Sequence, residues 1–435
     1  MTDAPGDPRK KIFVLSSLAL FTAGLSFALR AAIIAAIEVE ILREIDPAHS
    51  DALAGELLAT AFRGFAITLL LGSVFLERIG MGRSILLCAI CFAAGTGVTV
   101  SASTLASGAS VFDLLSAGFL LSGLGWGFME AAVNPLTAAL YPDDKTHRLN
   151  VVHAWWPAGI IAGTLVALAA SEMGIGWRGQ FVFVIVPALG CMYLYAGTAF
   201  PSTERAAMGA SIGDMFREIP KHPMFIVFWF CMLLTAAAEL APNQWFDFAL
   251  TKSIGIRGAW IVVYVSAMMF VFRHFAAHIA HRLSNMAILY GSAVFAVIGL
   301  WILPYADSAL TGLLAATVWG LGVCFMWPTM LANVSERYPK GGELFIGLMG
   351  VAGAISTQYV LPALGGITGA TKRELAGSAE AFAALHPSAQ APILQSANAA
   401  AFHTLAFYVA GLIFIFGAIA LFERKKAADR QRESG

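Results

Sequence analysis

Twelve times this chain runs through about 20 consecutive, mainly apolar residues, the length an α-helix needs to cross a bilayer. The runs fall at 12–37, 53–75, 84–105, 111–140, 151–170 and 181–200, then at 224–250, 259–279, 286–306, 310–334, 344–367 and 400–422. Nothing else in the sequence restricts the fold as much. Inside lipid each backbone N–H and C=O must find its partner within the protein, and a helix of this length satisfies them all internally. Charged residues make up 12% of the chain, against about 25% in a soluble domain. The expected class is an all-α, multi-pass membrane protein with twelve transmembrane helices, called spans one to twelve below. The formal net charge is zero, so nothing suggests a nucleic acid partner. The first run is too long for the core of a cleaved signal peptide and is expected to remain as span one.

Lysine and arginine placement orients the spans. Of 27 such residues, 18 fall in segments on the side of both termini, six on the other side, and Arg30, Arg63 and Arg273 within spans. That bias puts both termini in the cytoplasm, in a cell inner (plasma) membrane. The stretch 201–223 is the longest polar interruption on that side. It is expected to link two six-helix bundles, 1–200 and 224–435, with a short amphipathic helix near 212–219. The segment 368–398 on the opposite side is Ala-rich and is expected to form a helical hairpin or cap. Cys88, Cys91, Cys191, Cys231 and Cys324 all lie in apolar runs and are read as small packing residues, the C-x-x-C pair included.

The chain also repeats itself. Residues 123–142 read GLGWGFMEAAVNPLTAALYP and residues 320–339 read GLGVCFMWPTMLANVSERYP. Gly-Leu-Gly, Phe-Met and Tyr-Pro recur at a constant offset of 197 residues (320 minus 123), without a gap. A duplicated six-span unit explains this, and such repeats are a mark of secondary transporters. The halves differ chemically: Trp327 stands where the first half has Glu130.

Glu130 is a carboxylate inside an apolar span. Such a group is costly in lipid and is expected to face a bundle interior or a water-filled path. Asn134 follows at i+4, on the same helical face. Gly123 and Gly127 let a second helix approach closely, and Pro135 leaves one backbone carbonyl without its helical donor. A carboxyl in a partly dry cavity suits a group that takes up and releases protons near neutral pH. The competing reading is a permanent ion pair with Arg30 or Arg63. Span seven repeats the spacing with Glu239 and Asn243 around Pro242, and is read as the polar face of the second half, unless Glu239 lies near the outer surface.

Between spans two and three the chain reads SVFLERIGMGRS. Ser73, Glu77, Arg78, Gly80 and Arg83 resemble the loop signature of the major facilitator superfamily: a small residue, an acid, a base, a glycine and a second base. Such a loop can pair charges with neighbouring helix ends and latch one transport state. Within that superfamily, residues 130–159 resemble the fucose–galactose–glucose proton symporter family. The elements that carry the likeness are Glu130, Asn134, Pro135, Pro142-Asp143, Leu149-Asn150 and Gly159. Met326-Trp327-Pro328-Thr329 is similar to that family's aromatic-Pro-Thr segment, and Arg273-His274-Phe275 to its Arg-Phe element. The resemblance implies two pseudo-symmetric six-helix bundles that import a sugar with a proton. It implies the proton step at Glu130 and sugar contacts at His153 and Trp156. It stops at span one, where the family carries an aspartate and this chain has Arg30 and Ala31.

Trp155, Trp156 and Trp327 are candidates for a sugar platform, since an aromatic ring covers the C–H face of a pyranose; interfacial packing is the alternative. His153 could donate to a sugar hydroxyl or titrate near neutral pH, or simply pack. Arg30 and Arg63 need partners, for which Glu56 and Glu130 are available. One left free in the cavity would attract a substrate carboxylate or phosphate. Arg273 is expected near the cytoplasmic end of span eight, in a structural ion pair. His274, His278 and His281 step along one side of that end, but no acid or cysteine joins them, so no metal is expected, and no cofactor.

The leading expectation is therefore a monomeric secondary transporter working by alternating access on a small-molecule substrate, a sugar or sugar derivative, with a proton. Spans one, four, seven and ten would line its site. The alternative is transport of a sugar acid or other organic anion. A sensor would be expected to add a soluble signalling domain, and an enzyme a nucleophile–base pair, nucleotide loop or metal cluster, none of which stands out.

Overall fold

A computed structural model describes residues 8–46, 50–142, 144–202, 211–254, 256–276, 279 and 282–434. Spans one to four are single helices: Pro8–Ile37, Ser50–Ile79, Met81–Leu105 and Ser110–Leu140. Span five comes in two pieces, Lys145–His153 and Trp155–Glu172, and span six in two, Trp177–Val182 and Ile185–Tyr195. Spans seven, eight and nine are Pro223–Ile254, Ala259–His274 and Asn285–Ile302. Span ten is broken into Ala309–Val323 and Met326–Arg337, and spans eleven and twelve are Gly342–Ala376 and Pro387–Ser434.

Eleven of these have the length and apolarity to cross a membrane. Span eight, Ala259–His274, is a shorter apolar helix of 16 residues, and after a turn at Phe275 the helical residues Ala276 and Ile279 fall within the expected 259–279. The count agrees approximately with the expected twelve. His278 and His281 lie outside the described residues. So do Asp143 and residues 203–210 of the linker. The rest of that linker holds the expected amphipathic helix, Ile212–Glu218, started by a capping box between Ser211 and Asp214. Spans eleven and twelve have 35 and 48 residues, or about 52 and 72 Å, longer than any bilayer core. They extend beyond it and meet through the short helix Ala379–Ala384, the hairpin expected over 368–398.

The repeat is visible in local geometry. Tyr141 and Tyr338 end their helices with φ/ψ of −132°/64° and −129°/60°. Each N–H reaches back four residues, to the carbonyls of Thr137 and Val334. A proline follows both, which disfavours continuing the helix.

Span one packs on span five, span two on spans four and eleven, span eight on span five, and span nine on spans ten and twelve. Small residues set the closest approaches. A methyl group at Gly24 would overlap the Trp156 carbonyl, and one at Gly159 the Phe21 carbonyl. Gly123 meets the Ala61 backbone, and Gly127 the Phe65 carbonyl and Thr68 hydroxyl. Gly159→Leu should therefore wedge spans one and five apart. Overpacking costs about 1–3 kcal/mol, which should lower the melting temperature in detergent by roughly 5 °C. Gly97→Leu, where a side chain meets open space, is the control; equal melting of the two variants would show that this approach is not limiting.

The loop after span two turns at Gly80, with φ of +86°, a conformation glycine adopts without strain. Arg78 lies over the Phe75 ring at 5.8 Å. Ser73 is buried against Gly347 of span eleven, so this corner joins the first six spans to the last six.

Candidate functional site

Three prolines shape the centre of the molecule. A proline has no N–H, so the carbonyl four residues earlier loses its helical donor. Pro157 does this to His153, Pro328 to Cys324 and Pro242 to Ala238. In lipid an orphan carbonyl must be satisfied from elsewhere. The Trp319 indole takes the Ala238 carbonyl at 3.0 Å. Arg273 takes the other two: its Nε donates to the Cys324 carbonyl at 2.8 Å and its Nη1 to the His153 carbonyl at 3.2 Å. Its Nη2 pairs with Glu239 Oε1 at 3.1 Å, both side chains fully buried. One guanidinium thus ties spans five, seven, eight and ten together. The rigid fork of arginine can serve three acceptors in three directions; a lysine is a single flexible point charge.

Glu239 also borders one space with Trp327. Trp327 stands in the first turn of the second half of span ten, where N–H groups have no helical acceptor and the helix dipole favours an anion. The side chain of the same residue borders one space with the Glu130 side chain. The two positions matched by the internal repeat, 130 and 327, therefore meet across the interface of the two sets of spans.

Around Glu130 the polar groups form a chain. Asn134 Nδ2 donates to the Glu130 backbone carbonyl at 3.1 Å and to its Oε1 at 3.3 Å. That leaves Asn134 Oδ1 as an acceptor, and His153 Nε2 lies 2.8 Å from it. His153 therefore carries its proton on Nε2 in this bond. The same nitrogen is 4.0 Å from Glu130 Oε1. Among the described residues no lysine or arginine forms an ion pair with Glu130. The permanent pair with Arg30 or Arg63 is not present. Arg63 instead pairs with Glu56 at 3.6 Å, both about half exposed. Arg30 is buried and donates from Nη1 to Ser26 Oγ at 2.7 Å, with no acid beside it among the described residues.

A narrow cavity lies at this centre, with room for a few water-sized molecules. It is lined by Glu130, His153, Trp156, Glu239, Arg273 and Trp327, with Trp126, Leu20 and Leu240 completing the wall. Spans one, four, seven and ten all contribute, as expected, and spans five and eight contribute as well. Trp126 stacks on Trp156, with ring centres 4.8 Å apart and planes at 24°, and on Phe65 at 4.1 Å and 17°. This aromatic wall differs from the expected platform. Trp156 and Trp327 belong to the cavity lining, whereas Trp155 is 37% exposed and turned edge-on to Phe270 of span eight. Neighbours on a helix point about 100° apart, so Trp155 and Trp156 cannot both face inward. Asn134 borders the adjoining cleft. Asn243 is buried and repeats the Asn134 bond, Nδ2 to the Glu239 carbonyl at 2.9 Å, but lines neither space. Trp126 escaped the sequence reading, although it lies at i−4 from Glu130 and so on the Glu130–Asn134 face. Arg273 was read as structural; its place in the cavity wall had no local signal. Among the described residues no group of histidines, cysteines and acids could hold a metal, and the five cysteines are free.

A family model described as the Major Facilitator Superfamily matches residues 17–357. A plastidic glucose transporter of Arabidopsis thaliana is 23% identical over 290 residues, 65% of this chain and 48% of that protein. A candidate niacin/nicotinamide transporter of Bacillus subtilis, NiaP, is 22% identical over 183 residues, 40% of this chain and 43% of that protein. The chain thus matches just under half the length of these curated relatives. Among solved structures, the partially occluded inward-open xylose transporter XylE of E. coli superposes with a TM-score of 0.71 at 13% identity, covering 94% of this chain and 99% of that one. The E. coli fucose:proton symporter FucP superposes with a TM-score of 0.61 at 16% identity, covering 91% and 98%. At such identities these likenesses concern the fold.

Proposed function

The chain belongs to the Major Facilitator Superfamily, and we propose that this multi-pass membrane transporter carries a sugar together with a proton. The observation that supports this reading best is the company Glu130 keeps. Its carboxyl lines a central cavity and forms no ion pair with a lysine or arginine among the described residues, beside hydrogen-bonding groups and a stacked aromatic wall. An acid tied in a permanent ion pair could not exchange a proton cheaply, whereas this one accepts a hydrogen bond from Asn134 and has His153 nearby. The aromatic wall suits the apolar face of a pyranose, and Glu130, His153 and Glu239 can serve its hydroxyls. The names of the glucose transporter, XylE and FucP point the same way.

In this reading residues 1–200 and 224–435 are two bundles, joined by 201–223, that rock about the cavity. Substrate and proton drive the change by binding the two states unequally. The arginine and lysine bias supports both termini on the cytoplasmic side of an inner (plasma) membrane, and one chain suffices as the working unit.

A second reading has its own observation. Arg30 is a buried cation without an acid partner among the described residues, one helical turn beyond Phe27, whose ring touches Trp126 and Trp156. Such a group would suit the carboxylate of a sugar acid or another organic anion. Uptake of labelled glucose, galactose, fucose and glucuronate into proteoliposomes under an inward proton gradient separates the two. Accumulation of at least one neutral sugar is expected, with Arg30→Gln retaining it. Movement of glucuronate alone, lost in Arg30→Gln, would decide for the anion.

A further inference from the structure

Glu130 borders a second space besides the central cavity. This cleft lies between spans two, four, ten and eleven and is lined by Leu69, Ser73, Glu130, Asn134, Leu331 and Glu343, with Gly347 among the others. Among the described residues Glu130 alone belongs to both linings. The far end of the cleft can be placed without reference to the membrane. Glu343 stands in the first turn of span eleven, and its neighbour Leu344 packs with Val74 on Met215 of the linker helix. The cleft therefore runs from the middle of the protein towards the face crossed by the linker.

Its walls are suited to water and too close for a sugar. Ser73 is 2% exposed, and its hydroxyl has no hydrogen-bond partner among the described residues. A Cβ at Gly347 would overlap that hydroxyl, so the glycine leaves it room. Pro135 removes the helical donor of the Ala131 carbonyl, and Ala131 lines the same cleft. A buried hydroxyl, an amide and a carbonyl of this kind are what an ordered water needs to stay.

We propose that this cleft is the path by which Glu130 exchanges its proton with the linker face, and that Glu343 is the receiving carboxyl. Proton and substrate then leave Glu130 by separate routes, the proton through the cleft and the substrate through the central cavity. The Glu130 carboxyl gives its proton through a water to the Glu343 carboxylate. Glu130 becomes the carboxylate and Glu343 the acid, which then passes the proton to bulk water. The inference rests on Glu130 being the proton carrier.

Because the proton is itself the probe, the test needs no known substrate. The full chain in nanodiscs receives a proton pulse from a caged acid, and the carboxyl C=O band is followed by time-resolved infrared. Glu130→Gln should remove the band assigned to Glu130. Glu343→Gln should keep its amplitude but slow its rise by about tenfold or more, and Glu343→Asp should restore most of the rate, as for a group that hands on a proton. An unchanged rate in Glu343→Gln overturns the relay. So does loss of amplitude in both Glu343 variants, which would make that residue structural. A band that survives in Glu130→Gln instead removes Glu130 as the carrier, a distinct outcome from failure of the relay alone.

Discussion

Glu130→Gln, reconstituted in proteoliposomes, should lose proton-driven accumulation while still exchanging substrate across the membrane. With one proton per substrate, a gradient of one pH unit sustains up to about tenfold accumulation, since tenfold corresponds to 1.4 kcal/mol. The variant should equilibrate at a ratio near one. Glutamine matches the shape of the acid and can still meet Asn134 Nδ2, which donates to Glu130 Oε1. What it cannot do is bind and release a proton. Exchange of labelled for unlabelled substrate needs no net proton movement and should remain within about threefold of the unmodified protein. Undiminished uphill uptake would take Glu130 out of the coupling step. Equal loss of exchange would make it a binding group first.

Arg273→Met should be the most damaging single change for stability. It leaves Glu239 buried without its cation, a situation that costs about 3–5 kcal/mol. It also abandons the carbonyls of His153 and Cys324, which prolines have already deprived of helical donors, at about 1–3 kcal/mol each. The melting temperature in detergent should fall by roughly 10 °C or more. Arg273→Lys should recover only part of this, since one ammonium on a flexible stem cannot hold three acceptors in fixed directions. Arg273→Met combined with Glu239→Gln should also recover part, by removing the stranded charge but not the stranded carbonyls. A melting temperature within a degree or two of the unmodified protein in Arg273→Met would show that water reaches these groups and that the buried clamp contributes little.

Much of the architecture was legible before any coordinates. An apolar run of spanning length can be nothing but a helix in lipid, so the spans followed from composition. Residues at i and i+4 share a helical face wherever the helix lies, so Glu130 with Asn134 and Glu239 with Asn243 could be paired by counting. The two Tyr-Pro steps at a fixed offset marked the repeat, and in the structure the dihedral angles of the two tyrosines agree.

Other features depended on contacts between distant parts of the chain. Arg273 was expected at a helix end; its acceptors on Glu239, Cys324 and His153 lie 34, 51 and 120 positions away. Arg30 was expected either beside an acid or free in the cavity, and it donates to Ser26. Trp155 and Trp156 are adjacent and chemically identical, and only one lines the cavity. Glu343 carried no mark in the sequence, because its tie to Glu130 is a space between four helices. The local pattern decides which side chains share a face, since helix geometry is the same everywhere. Which face turns inward, and what stands opposite it, is settled by how the helices pack, and that depends on residues far apart along the chain.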